Sequence, residues 1–213
     1  MLAFALRCVF AYLLGSLLGG LIVGRLRGGV DIRTQGSGNA GGTNALRTQG
    51  PLFAFWVMLI DVGKGILAAA LVPRVPLEFL GASMVGFGWT AAVCGGLVVI
   101  GHVWPVFFGF RGGKGAATFL GVLGALAPLA LVPGLLVWAL CLVLTGYVGL
   151  STVLAAFAVA VYALVVTGPT APFTAFAVAM ALFILYTHRS NIQRLCRGNE
   201  NQFKRAMLLR RRG

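Results

Sequence analysis

Residues 116–187 read AATFLGVLGALAPLALVPGLLVWALCLVLTGYVGLSTVLAAFAVAVYALVVTGPTAPFTAFAVAMALFILYT and are apolar almost throughout. A run this long is typical of several membrane-spanning helices, because about 20 apolar residues cross the hydrocarbon core. Three breaks divide the run, at Pro128 with Pro133, at 146–149 and at 168–172. Proline and glycine interrupt helices, so we predict four helices of about 17 residues each.

Three further apolar segments precede this run, at 4–24, 52–72 and 79–102. The whole chain is 59% hydrophobic and 10% charged, with a mean hydropathy of +0.95. Average soluble domains are about 25% charged, so a water-soluble globule is excluded, and disorder is excluded by the amount of apolar surface. We predict an all-α integral membrane protein, a compact bundle of seven short transmembrane helices, with five spans as the alternative.

The charges predict the orientation. Seventeen Lys and Arg oppose four acids, a net charge of +13, and the basic residues concentrate in segments 25–50, 103–115 and 188–213. Basic segments beside membrane spans stay in the cytoplasm. We therefore expect the N-terminus outside and the C-terminus inside, within one transmembrane domain covering 1–213.

The polar residues cluster in the same three segments. The first contains GSGNAGGTNALRTQG at 36–50, where glycine backbone N–H groups and an arginine are suited to binding an anion. A flexible linker is the alternative, but it would not require Asn39, Asn44 and Arg47 together. This segment therefore indicates an anion site.

The second segment contains GHVWPVFFGFRGGKGAAT at 101–118. Its glycine loop, 112–115, directly precedes an apolar helix, where backbone amides and the helix dipole favour a phosphate. It is not a nucleotide-binding P-loop, because Gly109 is one residue too close to the Gly-Lys pair and Gly115 replaces the magnesium-binding hydroxyl residue.

The third segment contains HRSNIQRLCRGNE at 188–200, whose arginines suit anchoring at headgroups, whereas His188 and Asn191 do not help anchoring.

Several function classes are excluded. Only Asp31 and Glu200 lie in the predicted cytoplasmic segments, so a multi-carboxylate magnesium site cannot be assembled there. The four scattered cysteines indicate neither a disulfide framework nor a zinc site. No soluble module presents the basic charge to nucleic acid. Asp61 and Lys64, three residues apart in the second span, suit a functional site and a mutually satisfied structural pair equally well. We expect no metal and no cofactor.

Together with DVGKG at 61–65, the three polar strings resemble the PlsY-type acyl-phosphate:glycerol-3-phosphate acyltransferase family. The resemblance covers nearly the whole chain and implies transfer of a fatty acyl group from acyl phosphate to the 1-hydroxyl of glycerol 3-phosphate, giving lysophosphatidate and inorganic phosphate. It also implies a bacterial plasma membrane with the active site on the cytoplasmic side. The expected partners are the two substrates and membrane lipid, with no obligate protein partner.

Under this resemblance, we expect the glycine loop to hold acyl phosphate and the other strings to hold glycerol 3-phosphate. Two roles remain for His102, a general base or a structural cap at the end of the third span. Gly149-Leu-Ser-Thr152 replaces a more serine-rich stretch of the family, which leaves Ser151 as the hydroxyl contact. The expected catalytic residues are Ser37, Arg47, Lys114 and His102; acyl phosphate would contact Gly112, Gly113, Lys114 and Gly115, and glycerol 3-phosphate would contact Ser37, Asn39, Asn44, Arg47, Lys114, Ser151, His188 and Asn191.

A transporter or flippase for a phosphorylated metabolite or an anionic lipid is the alternative function, since basic loops and glycine-broken helices would suit it. The missing internal repeat and the placement of every string on one face argue against it.

Overall fold

The computed structural model describes residues 1–80 and 85–207, and these residues form helices joined by short turns. The α-helices are α1 (Leu2–Gly15), α2 (Gly19–Leu26), α3 (Gly42–Gln49), α4 (Pro51–Ala70), α5 (Phe87–Val103), α6 (Ala116–Leu126), α7 (Leu131–Thr145), α8 (Val148–Thr167), α9 (Pro172–Thr187) and α10 (Arg189–Cys196). Single 3₁₀ turns lie at Ile32–Thr34, Val72–Arg74, Glu78–Leu80, Val106–Phe108, Pro128–Ala130 and Lys204–Ala206. The all-α prediction is confirmed.

Four helical segments in the described part of the chain are long and apolar enough to cross a membrane: Pro51–Arg74, Phe87–Phe108, Pro128–Thr145 and Val148–Thr167. Two bent pairs, α1 with α2 and α9 with α10, raise that number to six if each pair is one span. Their bends are 48° and 53°. Helix α6 is apolar but has only 11 residues. The number of spans therefore stays a prediction.

The three predicted breaks in 116–187 are helix boundaries. Gly146 has φ +73° and ends α7, a conformation that glycine adopts without strain, and Pro172 begins α9. Pro133, predicted to belong to a break, lies instead in the first turn of α7. Proline is tolerated there because the first N–H groups of a helix have no intrahelical acceptor.

The first predicted span, 4–24, is interrupted at residues 16–18, which the sequence did not indicate. Two buried side chains of α4 satisfy the backbone groups freed by this break. Lys64 Nζ donates to the carbonyls of Gly15 (3.0 Å) and Leu17 (2.8 Å), and Asp61 Oδ1 accepts from the Gly19 N–H (3.1 Å). The break is thus stabilised by tertiary contacts rather than by local sequence.

The chain divides into two compact units, 1–126 and 127–213. In the first unit, helices cross at glycines: a Cβ on Gly15 would collide with the Val98 carbonyl in α5, and one on Gly65 would collide with the Thr118 carbonyl in α6. Small residues at such crossings let membrane helices approach closely. This packing fixes α5 and α6, which flank the glycine loop.

In the second unit, α7 packs against α8, and α8 against α9. The chain after α10 returns to the α7–α8 turn, where the Phe203 N–H donates to the Gly146 carbonyl at 2.7 Å. The final residues of the predicted basic segment, 208–213, and residues 81–84 of the predicted span 79–102 lie outside the described residues.

Candidate active site

Asn44 organises the first polar string. It is buried in α3, and its side-chain Nδ2 donates to the carbonyls of Ile32 (2.9 Å), Gln35 (3.0 Å) and Asn39 (3.0 Å). Its Oδ1 accepts from both the N–H (2.9 Å) and the hydroxyl (3.1 Å) of Ser37. The Asn44 amide is therefore occupied by the loop itself, and its geometry suits holding Ser37 in place.

The other residues predicted in this string lie around that amide. Ser37 and Arg47 are exposed, and Arg47 follows Asn44 by one helical turn on α3. Asn39 is half-buried, and its Oδ1 accepts from the Gly41 N–H at 3.1 Å. The structure thus presents a hydroxyl and a guanidinium at the surface of one small, internally bonded loop.

The glycine loop of the second string closes the end of α5. The N–H groups of Gly112 and Gly113 donate to the carbonyls of Val103 and His102, both at 3.1 Å. A Cβ on Gly112 would collide with the His102 carbonyl oxygen, and one on Gly113 would collide with His102 Nε2. Glycine is therefore required at both positions, and these two amides are already engaged by the protein.

The amides that remain for an anion lie further along the loop. Gly115 has φ +86° and turns the chain directly into α6, which begins at Ala116. The first N–H groups of a helix lack intrahelical acceptors and carry the positive end of the helix dipole. Lys114, half-buried, stands beside this helix start. The arrangement suits a phosphate bound by the start of α6 and the Lys114 ammonium.

Arg33 joins the first and second strings. Its guanidinium donates to the carbonyls of Phe108 (3.1 Å) and Arg111 (2.9 Å), and it forms an ion pair with Asp31 at 2.8 Å. The hydrogen bonds from Arg33 lower the pKa of the Asp31 carboxyl, and the carboxylate in turn raises the pKa of Arg33. Phe108 also packs against the buried cluster of Leu18, Leu21 and Ala40. The two predicted anion loops therefore lie side by side.

Beneath the glycine loop, Asp61, Lys64 and His102 form a buried polar cluster. Lys64 Nζ lies 2.9 Å from Asp61 Oδ1 and 2.9 Å from His102 Nδ1. The Asp61 and His102 atoms are 3.4 Å apart. Asp61 Oδ2 is buried without a hydrogen-bond partner among the described residues. The ring of His102 contacts Lys64 rather than the backbone at the end of α5.

In the second unit, Glu200 holds Asn191. Its carboxylate accepts from Asn191 Nδ2 (2.6 Å) and from Arg194 Nε (2.7 Å). His188 is buried at the end of α9, with its Nδ1 2.9 Å from the Ile184 carbonyl, which can only accept. The two polar residues predicted for this segment thus have defined side-chain orientations.

Ser151, also predicted as a substrate contact, is fully buried in α8, and its hydroxyl donates to the Tyr147 carbonyl at 2.9 Å. The neighbouring Gly149 provides the space into which Asn191 packs, because a Cβ on Gly149 would lie 2.8 Å from the Asn191 side chain. The structure therefore gives the Ser151 hydroxyl a hydrogen bond within its own helix.

Among the residues that the structure describes, no three His, Cys, Asp or Glu side chains lie close enough together to hold a metal ion. The groups suited to a ligand are instead cationic side chains and backbone N–H groups, which bind anions.

The family model described as glycerol-3-phosphate acyltransferase matches residues 5–198. This chain belongs to the glycerol-3-phosphate acyltransferase family. The enzyme is similar to glycerol-3-phosphate acyltransferases from Halalkalibacterium halodurans, with 39% identity over 92% of this chain and 93% of the relative, and from a Synechococcus strain, with 43% identity over 94% of each.

Two crystal structures of PlsY, an integral membrane glycerol 3-phosphate acyltransferase, match the enzyme over 94% of its chain and 95% of theirs, at 35% identity. The glycerol 3-phosphate form gives a TM-score of 0.81, and the lysophosphatidic acid form gives 0.79. The acyltransferase is accordingly an integral membrane protein, as its hydropathy predicted.

The sequence did not identify several residues that hold the predicted site residues in place. Arg33 contributes to the basic segment 25–50 that predicts the orientation, but its contacts with the second string were not predicted. The role of Glu200 in holding Asn191 was not predicted either. His102 was not connected with Asp61 and Lys64, because 38 residues separate it from Lys64. The spacing of Asp61 and Lys64 was the only available signal, and it indicated a pair rather than a cluster of three.

Proposed function

We propose that this acyltransferase uses acyl phosphate as its donor and transfers the acyl group to the 1-hydroxyl of glycerol 3-phosphate. The products are lysophosphatidate and inorganic phosphate. The observation that carries this proposal is the likeness of nearly the whole chain to PlsY in its glycerol 3-phosphate and lysophosphatidic acid forms. The two neighbouring anion loops support it, because both substrates carry a phosphate.

The reaction requires little covalent chemistry from the protein, because acyl phosphate is already an activated mixed anhydride. The 1-hydroxyl oxygen attacks the acyl carbonyl carbon, and the new ester bond forms as the bond from that carbon to the phosphate oxygen breaks. The hydroxyl proton passes to a phosphate oxygen of the substrates, and inorganic phosphate leaves. The enzyme contributes positioning and stabilisation of negative charge.

The first unit provides the groups for that task. Lys114 and the N–H groups at the start of α6 hold the acyl-phosphate headgroup, while Arg47 neutralises the second phosphate. Ser37, held by Asn44, is oriented toward substrate by the loop at 36–50.

We further propose seven spans in a bacterial plasma membrane, with the N-terminus outside and the active site on the cytoplasmic face. Four long helices, α1 with α2, α6 and α9 together give seven apolar segments, and α10 lies in the basic segment after the last of them. The basic segments 25–50, 103–115 and 188–213 then all lie in the cytoplasm, in agreement with the positive-inside rule. Helix α6 is about 17 Å long, so it crosses only where the hydrocarbon is thinned around it.

The donor is tested by incubating the purified enzyme with glycerol 3-phosphate and either palmitoyl phosphate or palmitoyl-CoA. We expect lysophosphatidate only from palmitoyl phosphate. The variant Lys114→Ala should lose about 100-fold or more in kcat/KM, the typical effect of removing one charge-stabilising group. Lys204→Ala removes the same charge from an exposed position and is the matched control, expected to keep full activity. Lysophosphatidate from palmitoyl-CoA alone, or an unimpaired Lys114→Ala variant, would contradict the proposal.

A further inference from the structure

The segment 104–111 reads WPVFFGFR and connects α5 with the glycine loop, and we call it the aromatic loop. Helix α1 and the break that follows it hold this loop from one side. The Tyr12 hydroxyl donates to the Trp104 carbonyl at 2.7 Å. The Val106 N–H donates to the Ser16 hydroxyl oxygen at 3.3 Å. The first half of the aromatic loop is therefore attached to the body of the first unit.

The second half of the aromatic loop is closed on itself. The N–H groups of Phe108 and Phe110 both donate to the Pro105 carbonyl, at 3.2 and 2.9 Å. Arg33 donates to the Phe108 carbonyl, and the Phe108 side chain packs against the buried cluster that contains Leu18. These contacts give the loop one defined shape.

Phe110 has an unusual backbone conformation in this loop. Its φ is +58°, in the left-handed region that few residues other than glycine adopt. A phenylalanine keeps such a conformation only where the surrounding contacts impose it, and residues of this kind cluster at functional sites. Glycine would fit this backbone without strain, so a phenylalanine here indicates a use for its ring.

The contacts that fix the loop leave two of its rings uncovered. Phe107 is 55% exposed and Phe110 is 57% exposed, whereas Phe108 between them is half-buried. Apolar groups exposed beside a polar segment mark a surface that contacts a protein or a membrane. The place of the two rings along the chain distinguishes these partners.

The length of α5 places the rings at the boundary of the membrane. This helix has 17 residues and is therefore about 26 Å long, close to the thickness of the hydrocarbon core, about 30 Å. The apolar segment to which it belongs, Phe87–Phe108, ends inside the aromatic loop, and the exposed Arg111 follows. Large apolar rings with a basic residue beside them are typical of the layer between hydrocarbon and headgroups.

We propose that Phe107 and Phe110 insert into the interfacial layer of the bilayer, with Arg111 beside the lipid phosphates. The glycine loop begins directly after Arg111, so this contact holds it next to the headgroups, at the depth where the phosphate of a membrane-embedded acyl phosphate lies. That last consequence rests on the proposed function, whereas the insertion of the two rings does not.

The depth of each ring position is measured with a nitroxide attached to one introduced cysteine in the full-length enzyme, reconstituted in vesicles of phosphatidylcholine and phosphatidylglycerol. Cys8→Ser and Cys196→Ser remove the native cysteines that are not buried, and the buried Cys94 and Cys141 are retained. Electron paramagnetic resonance compares collisions of the nitroxide with oxygen, which concentrates in lipid, and with a nickel chelate, which stays in water.

Two reference positions bracket the expected result. Leu59 is exposed near the middle of α4 and represents the hydrocarbon, whereas Thr34 is exposed in the polar segment 25–50 and represents water. We expect Phe107→Cys and Phe110→Cys to give oxygen-to-nickel collision ratios between those of Leu59→Cys and Thr34→Cys. Phe107→Cys makes the test independent of the strained backbone at Phe110.

Three results would overturn the proposal. A ratio as low as that of Thr34→Cys at both ring positions would place the rings in water, and a ratio as high as that of Leu59→Cys would place them in the hydrocarbon. Protection from both oxygen and nickel would indicate that another protein, or a second copy of this chain, covers the loop.

This inference and the proposed function fail separately, because the depth measurement does not depend on activity. Water-exposed rings in an enzyme that transfers the acyl group from acyl phosphate would overturn the inference alone. Interfacial rings in an enzyme without that activity would do the reverse.

Discussion

Gly113 has only a hydrogen where the loop passes the His102 ring, and this makes any larger side chain at that position costly. In Gly113→Ala the added methyl group would collide with the His102 ring, which is held by Lys64 and cannot simply rotate away. Overpacking of this kind costs about 1–3 kcal/mol. We expect the variant to lose stability, measured by thermal unfolding in detergent, and to lose acyl transfer.

The collision partner is identified by a double variant. In a His102→Ala background, the ring that the methyl group would meet is absent, so Gly113→Ala should then be less destabilising than in the wild type. Equal destabilisation in the two backgrounds would contradict the contact between Gly113 and His102.

The ion pair of Asp31 with Arg33 makes the contact between the two anion loops pH-dependent. Because Arg33 lowers the pKa of Asp31 below its ordinary value of 3.8, the pair contributes fully above that pH and is lost only as the pH falls through the lowered pKa. The pair is partly exposed, so its contribution to stability is less than about 1 kcal/mol.

We therefore expect Asp31→Asn to unfold at a slightly lower temperature than the wild type at neutral pH. This difference should persist in full down to the ordinary pKa of 3.8 and disappear only as the pH falls through the lowered pKa. A difference that has already disappeared at about pH 5 would contradict the lowered pKa. Thermal unfolding of both proteins across this range is the measurement.

At the residue scale, the sequence showed where polar residues cluster but not which of them hold their own loops in place. Asn44 was expected to contact substrate, and the structure instead shows its amide bonded to four residues of its own loop. A buried amide and an exposed one look identical in a sequence, because burial depends on how the loop closes. The hydrogen bonds of Arg33 were not predicted either, because its two carbonyl acceptors lie more than 70 residues away in the sequence.

Helices α4 and α6 approach each other at two glycines, which sets the position at which the glycine loop enters α6. A methyl group on Gly65 would collide with the Thr118 carbonyl, a backbone atom that cannot move without displacing α6. Gly63, two residues earlier on the same helix, has nothing within 4 Å of an added Cβ and is the matched control.

We expect Gly65→Ala to destabilise the enzyme by about 1–3 kcal/mol and to reduce acyl transfer, because the start of α6 would be displaced. Gly63→Ala should change stability by less than about 0.5 kcal/mol. Thermal unfolding and activity of the two variants are compared. If both behave alike, the close approach of α4 and α6 is wrong.

At the element scale, local signals predicted most helix boundaries in 116–187, because proline and glycine act within the chain segment that carries them. The break at 16–18 and the short helices α3 and α10 were not predicted. The break depends on Lys64 and Asp61, which are more than 40 residues away and supply the missing hydrogen-bond partners. Helices α3 and α10 are polar and only eight residues long, so they show no membrane-span signal.

The orientation of the whole molecule is tested with a cysteine that the chain already has. Cys196, in the basic segment after α9, is exposed, whereas Cys94 and Cys141 are buried and Cys8 is half-buried within the first span. Seven spans place Cys196 in the cytoplasm. We expect a membrane-impermeant maleimide to label it only after the cells are permeabilised.

A second cysteine makes the test independent of cell integrity. Thr170 is exposed in the connection between α8 and α9, which seven spans place outside. Thr170→Cys should be labelled in intact cells. Labelling of Cys196 and of Thr170→Cys from the same side would contradict a crossing by α9, and labelling of Cys196 in intact cells would contradict the proposed orientation.

At the scale of the whole molecule, composition and charge predicted an all-helical membrane protein, and the four polar strings indicated the family. Composition and charge are sums over many residues, so a wrong prediction for one residue or one helix boundary does not change the fold class that they indicate. The number of crossings is a finer property, because it depends on whether the 11 residues of α6 and the two bent pairs each cross.

The central claim is acyl transfer from acyl phosphate to glycerol 3-phosphate without metal or nucleotide. The most direct test follows inorganic phosphate and lysophosphatidate together, using purified enzyme, palmitoyl phosphate, glycerol 3-phosphate and a chelator. We predict that the two products appear in equal amounts and that neither forms without glycerol 3-phosphate. Phosphate release without lysophosphatidate, or no reaction until a metal or nucleotide is added, would contradict the claim.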